Sequence, residues 1–197
     1  LSLARLFLFG AIDTWFVVGI PIYFLEVFEA SEIFGDRSAF FLVGGYMAIW
    51  IILYGLVQAY AHRIFVGFND YKLKSGAMFW IFPLPLVPLF LVFATYIIEP
   101  HSIILTILLI VGLLIFGSIF AVNSSLHSFL ILKFTTLERA SLDVGFYYMA
   151  NAAGRLLGTL LSGLSFQFGG LSSCLIVSAI FLLVAAFFTW LIPITRK

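Results

Sequence analysis

Val144-Gly-Phe-Tyr-Tyr-Met-Ala-Asn-Ala-Ala-Gly-Arg-Leu-Leu-Gly-Thr-Leu-Leu-Ser-Gly-Leu-Ser-Phe-Gln-Phe168 is an apolar run with one guanidinium, Arg155, near its middle. Its length matches the roughly 20 residues a helix needs to cross the hydrocarbon core of a bilayer. A charge at that depth is expensive, and such residues mark transport paths and binding sites. Tyr148, Asn151 and Arg155 follow at spacings of three and four, which places them on one helix face. Arginine presents a planar fork of donors suited to carboxylate, phosphate or a similar oxyanion. This face therefore reads as an anion ligand, with Asn151 and Tyr148 adding hydrogen bonds. The competing reading is that Arg155 pairs with Asp13 or with carbonyl groups and locks two helices together. Ala150, Gly154, Gly158 and Ser162 recur every four residues, a spacing of small side chains that lets helices approach closely.

Outward from this run the chain keeps the same character. It is 63% hydrophobic and 10% charged, with a mean hydropathy of +1.20; soluble domains carry about 25% charged residues. A water-soluble fold is excluded, and the lipid bilayer is the expected surrounding. Six segments reach spanning length, near 3 to 28, 39 to 61, 77 to 98, 103 to 126, 144 to 167 and 171 to 192. Connections are expected at 29 to 37, 62 to 76, 99 to 102, 133 to 143 and 169 to 173. Asp13 and the length of the first segment make it a permanent span and not a secretory signal. The apolar stretch already under way at Leu3 predicts that more chain precedes it. Positive residues collect in cytoplasmic loops. Arg63, Lys72, Lys74, Lys133, Arg139, Arg196 and Lys197 fall on one side, and Arg37 stands alone among Glu29, Glu32, Asp36 and Glu99 on the other. Both termini are thus expected in the cytoplasm. The fourth stretch runs from Ser102 to Phe134, so its last turns should protrude.

Polar residues cluster in the first, second, fourth and fifth segments, whereas the third and sixth carry no charge within their spans. Three-plus-three repeats of this kind recur in transporter folds. Asp13 reads either as a proton-coupling group or as the counter-ion of Arg155 or Arg5. Asn123 and His127 share a face of the fourth segment, and His127 is a second proton-coupling candidate. His62 and His101 read as solvated loop residues. Pro83, Pro85 and Pro88 must kink or unwind the third segment. Cys174 reads as a small core residue, and a lone cysteine forms neither a disulfide framework nor a thiolate metal site. The net charge of +1 and the absence of a basic cluster set nucleic acid aside. An intramembrane serine protease would need a histidine after Gly163-Leu-Ser165-Phe166, and none follows position 127; no His-Glu-x-x-His run occurs. Neither an enzyme nor a cofactor or metal site is expected.

Ala4-Arg-Leu-Phe-Leu-Phe-Gly10, Asp13-Thr-Trp-Phe-Val-Val-Gly19, Val43-Gly-Gly-Tyr-Met-Ala-Ile-Trp50, Asn123-Ser-Ser-Leu-His-Ser128 and Gly145-Phe-Tyr-Tyr-Met-Ala-Asn-Ala-Ala-Gly-Arg155 resemble the second half of the organoarsenical efflux permeases (ArsJ type) of the major facilitator superfamily. The resemblance implies an all-α protein of the bacterial inner membrane in which residues 1–197 form one six-helix bundle. These would be helices seven to twelve of a twelve-helix fold whose N-terminal half is the missing partner. It further implies export of a small anionic substrate, 1-arseno-3-phosphoglycerate, by alternating access, and with it arsenate resistance. Arg155 and Arg5 would then hold oxyanions, Asn151, Tyr148 and Asn123 would orient the ligand, and Asp13 or His127 would couple protons. Another exporter of the superfamily, for drugs or sugars, and a non-transporting interaction module are the alternatives. The superfamily's charged signature between the second and third helix of a half, Gly-x-x-x-Asp-Arg-x-Gly-Arg, is nearly absent: Gly55 is followed four later by Ala59, and only His62-Arg63 and Lys72, Lys74 supply charge.

Overall fold

The computed structural model describes residues 1–29, 36–136 and 138–192, apart from the side chains of Asp36, Arg37, His62 and Asp70. The expected connection at 29–37 lies largely outside them, as do Arg196 and Lys197. The described residues are helical, with no strand among them: α1 (Ser2–Phe16), α2 (Gly19–Glu29), α3 (Asp36–Phe65), α4 (Asp70–Ile81), α5 (Leu86–Ile97), α6 (Ile103–Phe134) and α7 (Ala140–Trp190). Five helices are long and apolar enough to cross a membrane, counting α1 with α2 and α4 with α5 as single interrupted rods. The protein is therefore a multi-pass, all-α membrane protein.

Each interruption has a local cause. Between α1 and α2 the helix loosens at Val17 and Val18, because Pro21 has no N–H to return to the Val17 carbonyl; Ile22 N resumes the ladder by donating to Val18 O at 3.1 Å. Between α4 and α5, Pro83 and Pro85 remove two donors, and the backbone tightens into short turns, Leu84 N to Ile81 O and Leu86 N to Pro83 O. The proline run thus unwinds this rod over 82–85, as the sequence predicts. The connection expected at 62–76 is much shorter than read. α3 continues to Phe65, and Asn69 caps α4 by accepting from Lys72 N at 2.9 Å. His62 accordingly lies within α3 and not in a loop.

The 51-residue α7 would measure about 76 Å if straight, more than twice the roughly 30 Å hydrocarbon core. It is not straight. Gly169 and Gly170 leave helical geometry, and Gly170, at φ 61° and ψ −154°, occupies a region open essentially to glycine alone. The two arms, 140–168 and 171–190, fold back on each other: Cys174 Sγ donates to Ser162 O, twelve residues earlier, at 3.5 Å.

Two ends of the bundle are thereby defined. Leu1, the end of α3, the start of α4 and the end of α6 meet in one small apolar cluster with Ala61, Phe65, Leu73 and Leu130. Lys74 on α4 donates to the Ile192 carbonyl just beyond α7, so the last residues of the second arm join this end. At the opposite end His101 Nε2 lies 3.6 Å from Glu26 Oε2, and Thr95 and Ser172 share a hydrogen bond at 2.8 Å beside the Gly169–Gly170 break.

The main core lies between α1, α2, α3, α5, α6 and the second arm of α7, around Leu8, Trp15, Phe24, Trp50, Leu91, Phe116 and Phe120. α1 packs most extensively on α7. A Cβ added at Gly154 would stand 2.0 Å from Leu6 O, one at Gly158 2.3 Å from Gly10 O, and one at Gly10 2.8 Å from Gly154 O. Backbone lies on backbone along this seam, which is what small residues permit between helices in lipid. Ser162 is buried on the same seam face and Ala150 is half-buried at its upper end. α3 is the least buried of the long helices.

Candidate functional site

The seam fixes the rotation of the first arm of α7, and with it the placement of every polar side chain there. Tyr147, Gly154 and Gly158 share the face turned to α1, since their spacings of seven and four repeat one helical position. Tyr148 and Arg155, again seven apart, share the outward face; Tyr148 is 60% exposed and the Arg155 side chain 58%. Asn151 lies on the boundary, half-buried.

Arg155 reaches across the seam to α1. Its Nε donates to Asp13 Oδ2 at 2.8 Å, and the Asp13 side chain is only 3% exposed. The carboxylate is therefore sealed behind the guanidinium. Arg155 and Asp13 together line a cavity of about 180 Å³ with Phe9, Ile12, Phe16, Trp50, Ile51, Tyr54 and Phe120. Both readings of Arg155 drawn from the sequence thus describe part of its environment, because it pairs with Asp13 and also borders open space. The cavity wall on α3 is held by packing. Trp50 Nε1 donates to Leu113 O on α6 at 2.8 Å, its ring lies against Gly117, where a Cβ would come within 2.8 Å, and Tyr54 stacks parallel to it at 5.7 Å. Trp15, fully buried, backs the Trp50 ring with edge contacts to Trp50 and Phe116.

Arg5 occupies a different setting, about two turns along α1 from Asp13. It is 5% exposed. Its Nε donates to Asn151 Oδ1 at 3.2 Å, and its Nη1 donates to the Ser124 carbonyl at 3.2 Å and the Ser124 hydroxyl at 2.9 Å. The guanidinium is sandwiched between the rings of Phe9, 3.8 Å away, and Tyr147, 4.8 Å away. No carboxylate among the described residues pairs with it; its charge is held by dipoles and π faces alone. Gln58 Nε2 extends the network to Ser124 Oγ at 3.4 Å, and Ser128 Oγ donates to Ser124 O at 3.0 Å. Phe9 separates this network from the cavity, so Arg5 stands directly behind the cavity wall.

The remaining sequence candidates are placed elsewhere. Asn123 is fully buried and its amide donates to Ala77 O on α4 at 2.8 Å, on the side of α6 away from the cavity. His127 is also fully buried, with Nε2 3.4 Å from Thr189 Oγ1 on the second arm and Nδ1 unpartnered. The structure therefore brings together Asp13, Arg155, Arg5 and Asn151, and leaves Tyr148, Asn123 and His127 outside that group. What the residue-by-residue reading missed is the wall: Phe9, Phe16, Trp50, Tyr54 and Phe120, with Ser124, Gln58 and Tyr147 around Arg5. The signal was there, since Phe9, Asp13 and Phe16 run at spacings of four and three, and Trp50, Tyr54 and Gln58 at four and four. Compared with protein-family models, with curated proteins and with solved structures, the chain matches none.

Proposed function

We propose that this chain forms the C-terminal half of an alternating-access exporter of small organic anions. In this reading both arms of α7 cross the bilayer, giving six spans with the Lys74 end in the cytoplasm. The observation that carries it is Arg155. A guanidinium in the middle of an apolar helix, paired with Asp13 yet more than half exposed and bordering a cavity, is costly to leave against lipid. Water, a second six-helix half or an anionic cargo must meet it, and an alternating-access transporter supplies all three. The poorly buried face of α3 beside the outward face of the first arm offers the surface on which that half would close. Asp13 holds the guanidinium in position, and Asn151 and Arg5 brace the seam behind it.

The family resemblance proposes 1-arseno-3-phosphoglycerate as cargo and arsenate resistance as the phenotype. Survival on arsenate tests this: cells carrying the whole permease should lose most of their protection with Arg155→Ala, and unchanged survival would reject it. A second reading, an exporter of a different small molecule, is favoured by the cavity wall, where five of the nine lining residues are aromatic.

A further inference from the structure

The cavity between α1, α3 and the first arm of α7 combines an aromatic wall with a small positive charge, and this combination selects among anions. Trp50 and Tyr54 stack with planes only 4° apart, Phe16 lies 4.8 Å from Trp50, and Phe9 and Phe120 meet edge to face at 5.0 Å. At about 180 Å³ the space is close to the roughly 150 Å³ of an apolar cavity that holds one benzene ring. Three charged groups bear on it. Arg155 and Asp13 line it as a pair, and Arg5 stands 3.8 Å behind the Phe9 ring. Two guanidiniums against one carboxylate leave a single net positive charge. Arg155 engages Asp13 through Nε, and its Nη edge makes no hydrogen bond among the described residues, so that edge is the free donor.

From this the geometry points to a planar aromatic monoanion, such as an aromatic carboxylate, as the ligand class of the cavity. The ring lies against the Trp50–Tyr54 wall and the carboxylate accepts from the Nη edge of Arg155. One negative charge neutralises the one in excess. A cargo carrying both an arsenate and a phosphate group would bring several further negative charges into an aromatic, weakly polar space without partners for them. The inference rests on the anion-exporter reading above and narrows it.

Equilibrium dialysis of radiolabelled benzoate against the purified whole permease in detergent, with a detergent-only blank, tests it. Benzoate should bind saturably, 3-phosphoglycerate should compete at least tenfold more weakly, benzamide should compete equally poorly, and Arg155→Gln should weaken benzoate binding at least tenfold. If 3-phosphoglycerate binds as tightly as benzoate or more so, and still depends on Arg155, the aromatic class is wrong and the anion reading stands. Benzamide competing as well as benzoate, with Arg155→Gln without effect, would overturn both. Absence of saturable binding by all three overturns the inference. Should Arg155→Gln fail to fold, the three-ligand series on the unaltered permease decides alone.

Discussion

Asp13 and Arg155 set the chemistry at the scale of single residues. The carboxylate is buried and the guanidinium is not, so the two are unequal partners: loss of Arg155 strands a sealed charge, whereas loss of Asp13 frees an arginine that already borders open space. Arg155→Gln should therefore destabilise the fold more than Asp13→Asn. A double-mutant cycle, read by thermal unfolding in detergent, should give a coupling of about 1 to 2 kcal/mol, discounted from a fully buried pair because Arg155 is well exposed. Near-zero coupling would mean that the pair does not hold α1 to α7. Both residues were legible in the sequence because lipid makes every charge conspicuous. Tyr148 was legible only in part, for a geometric reason. It shares a face with Arg155, as its spacing says, but whether that face turns to a neighbour or outward is decided by the glycines, and Gly154 and Gly158 turn Tyr147 to Arg5 instead. Asn123 and His127 were equally visible as polar residues, yet nothing local reveals that their partners lie on α4 and the second arm of α7.

Among the helices, the α1–α7 seam and the break in α7 carry the architecture. Gly154→Ala forces a methyl group into the Leu6 carbonyl, and the two backbones must part. The cost should be about 1 to 3 kcal/mol, the range for overpacking a tight contact. Gly163→Ala, where nothing lies within 4 Å, should be neutral or slightly stabilising through helix propensity. Comparable melting temperatures for the two variants would contradict the seam. At the break, Gly170→Ala must hold a Cβ at φ 61° and should cost about 1 to 3 kcal/mol, visible as the same kind of shift. The four-residue repeat of small side chains announced the seam from sequence alone, and the prolines announced the gap at 82–85. The α3–α4 connection was overestimated because Arg63, Lys72 and Lys74 read as loop charges, when Asn69 in fact restarts a helix that carries both lysines.

For the whole molecule, the length of the apolar segments made a multi-pass helical bundle legible, and the pairing of ends follows from their alternation. With the Lys74 end cytoplasmic, a single cysteine at Lys72 in a Cys174→Ala background should resist a membrane-impermeant maleimide added to intact cells, and one at Glu99 should react. The reverse pattern would invert the proposed orientation. The cavity was the least legible feature, because it exists only where α1, α3, α6 and α7 meet, and aromatic side chains in apolar helices read as ordinary packing until their neighbours are known. The account as a whole depends on Arg155 facing a passenger and not merely a partner helix. Efflux of a radiolabelled organic anion, measured as uptake into inverted membrane vesicles bearing the whole permease, addresses that directly. Arg155→Gln, present in the membrane at normal levels, should lower the rate at least tenfold; a rate equal to that of the unaltered protein would contradict the account.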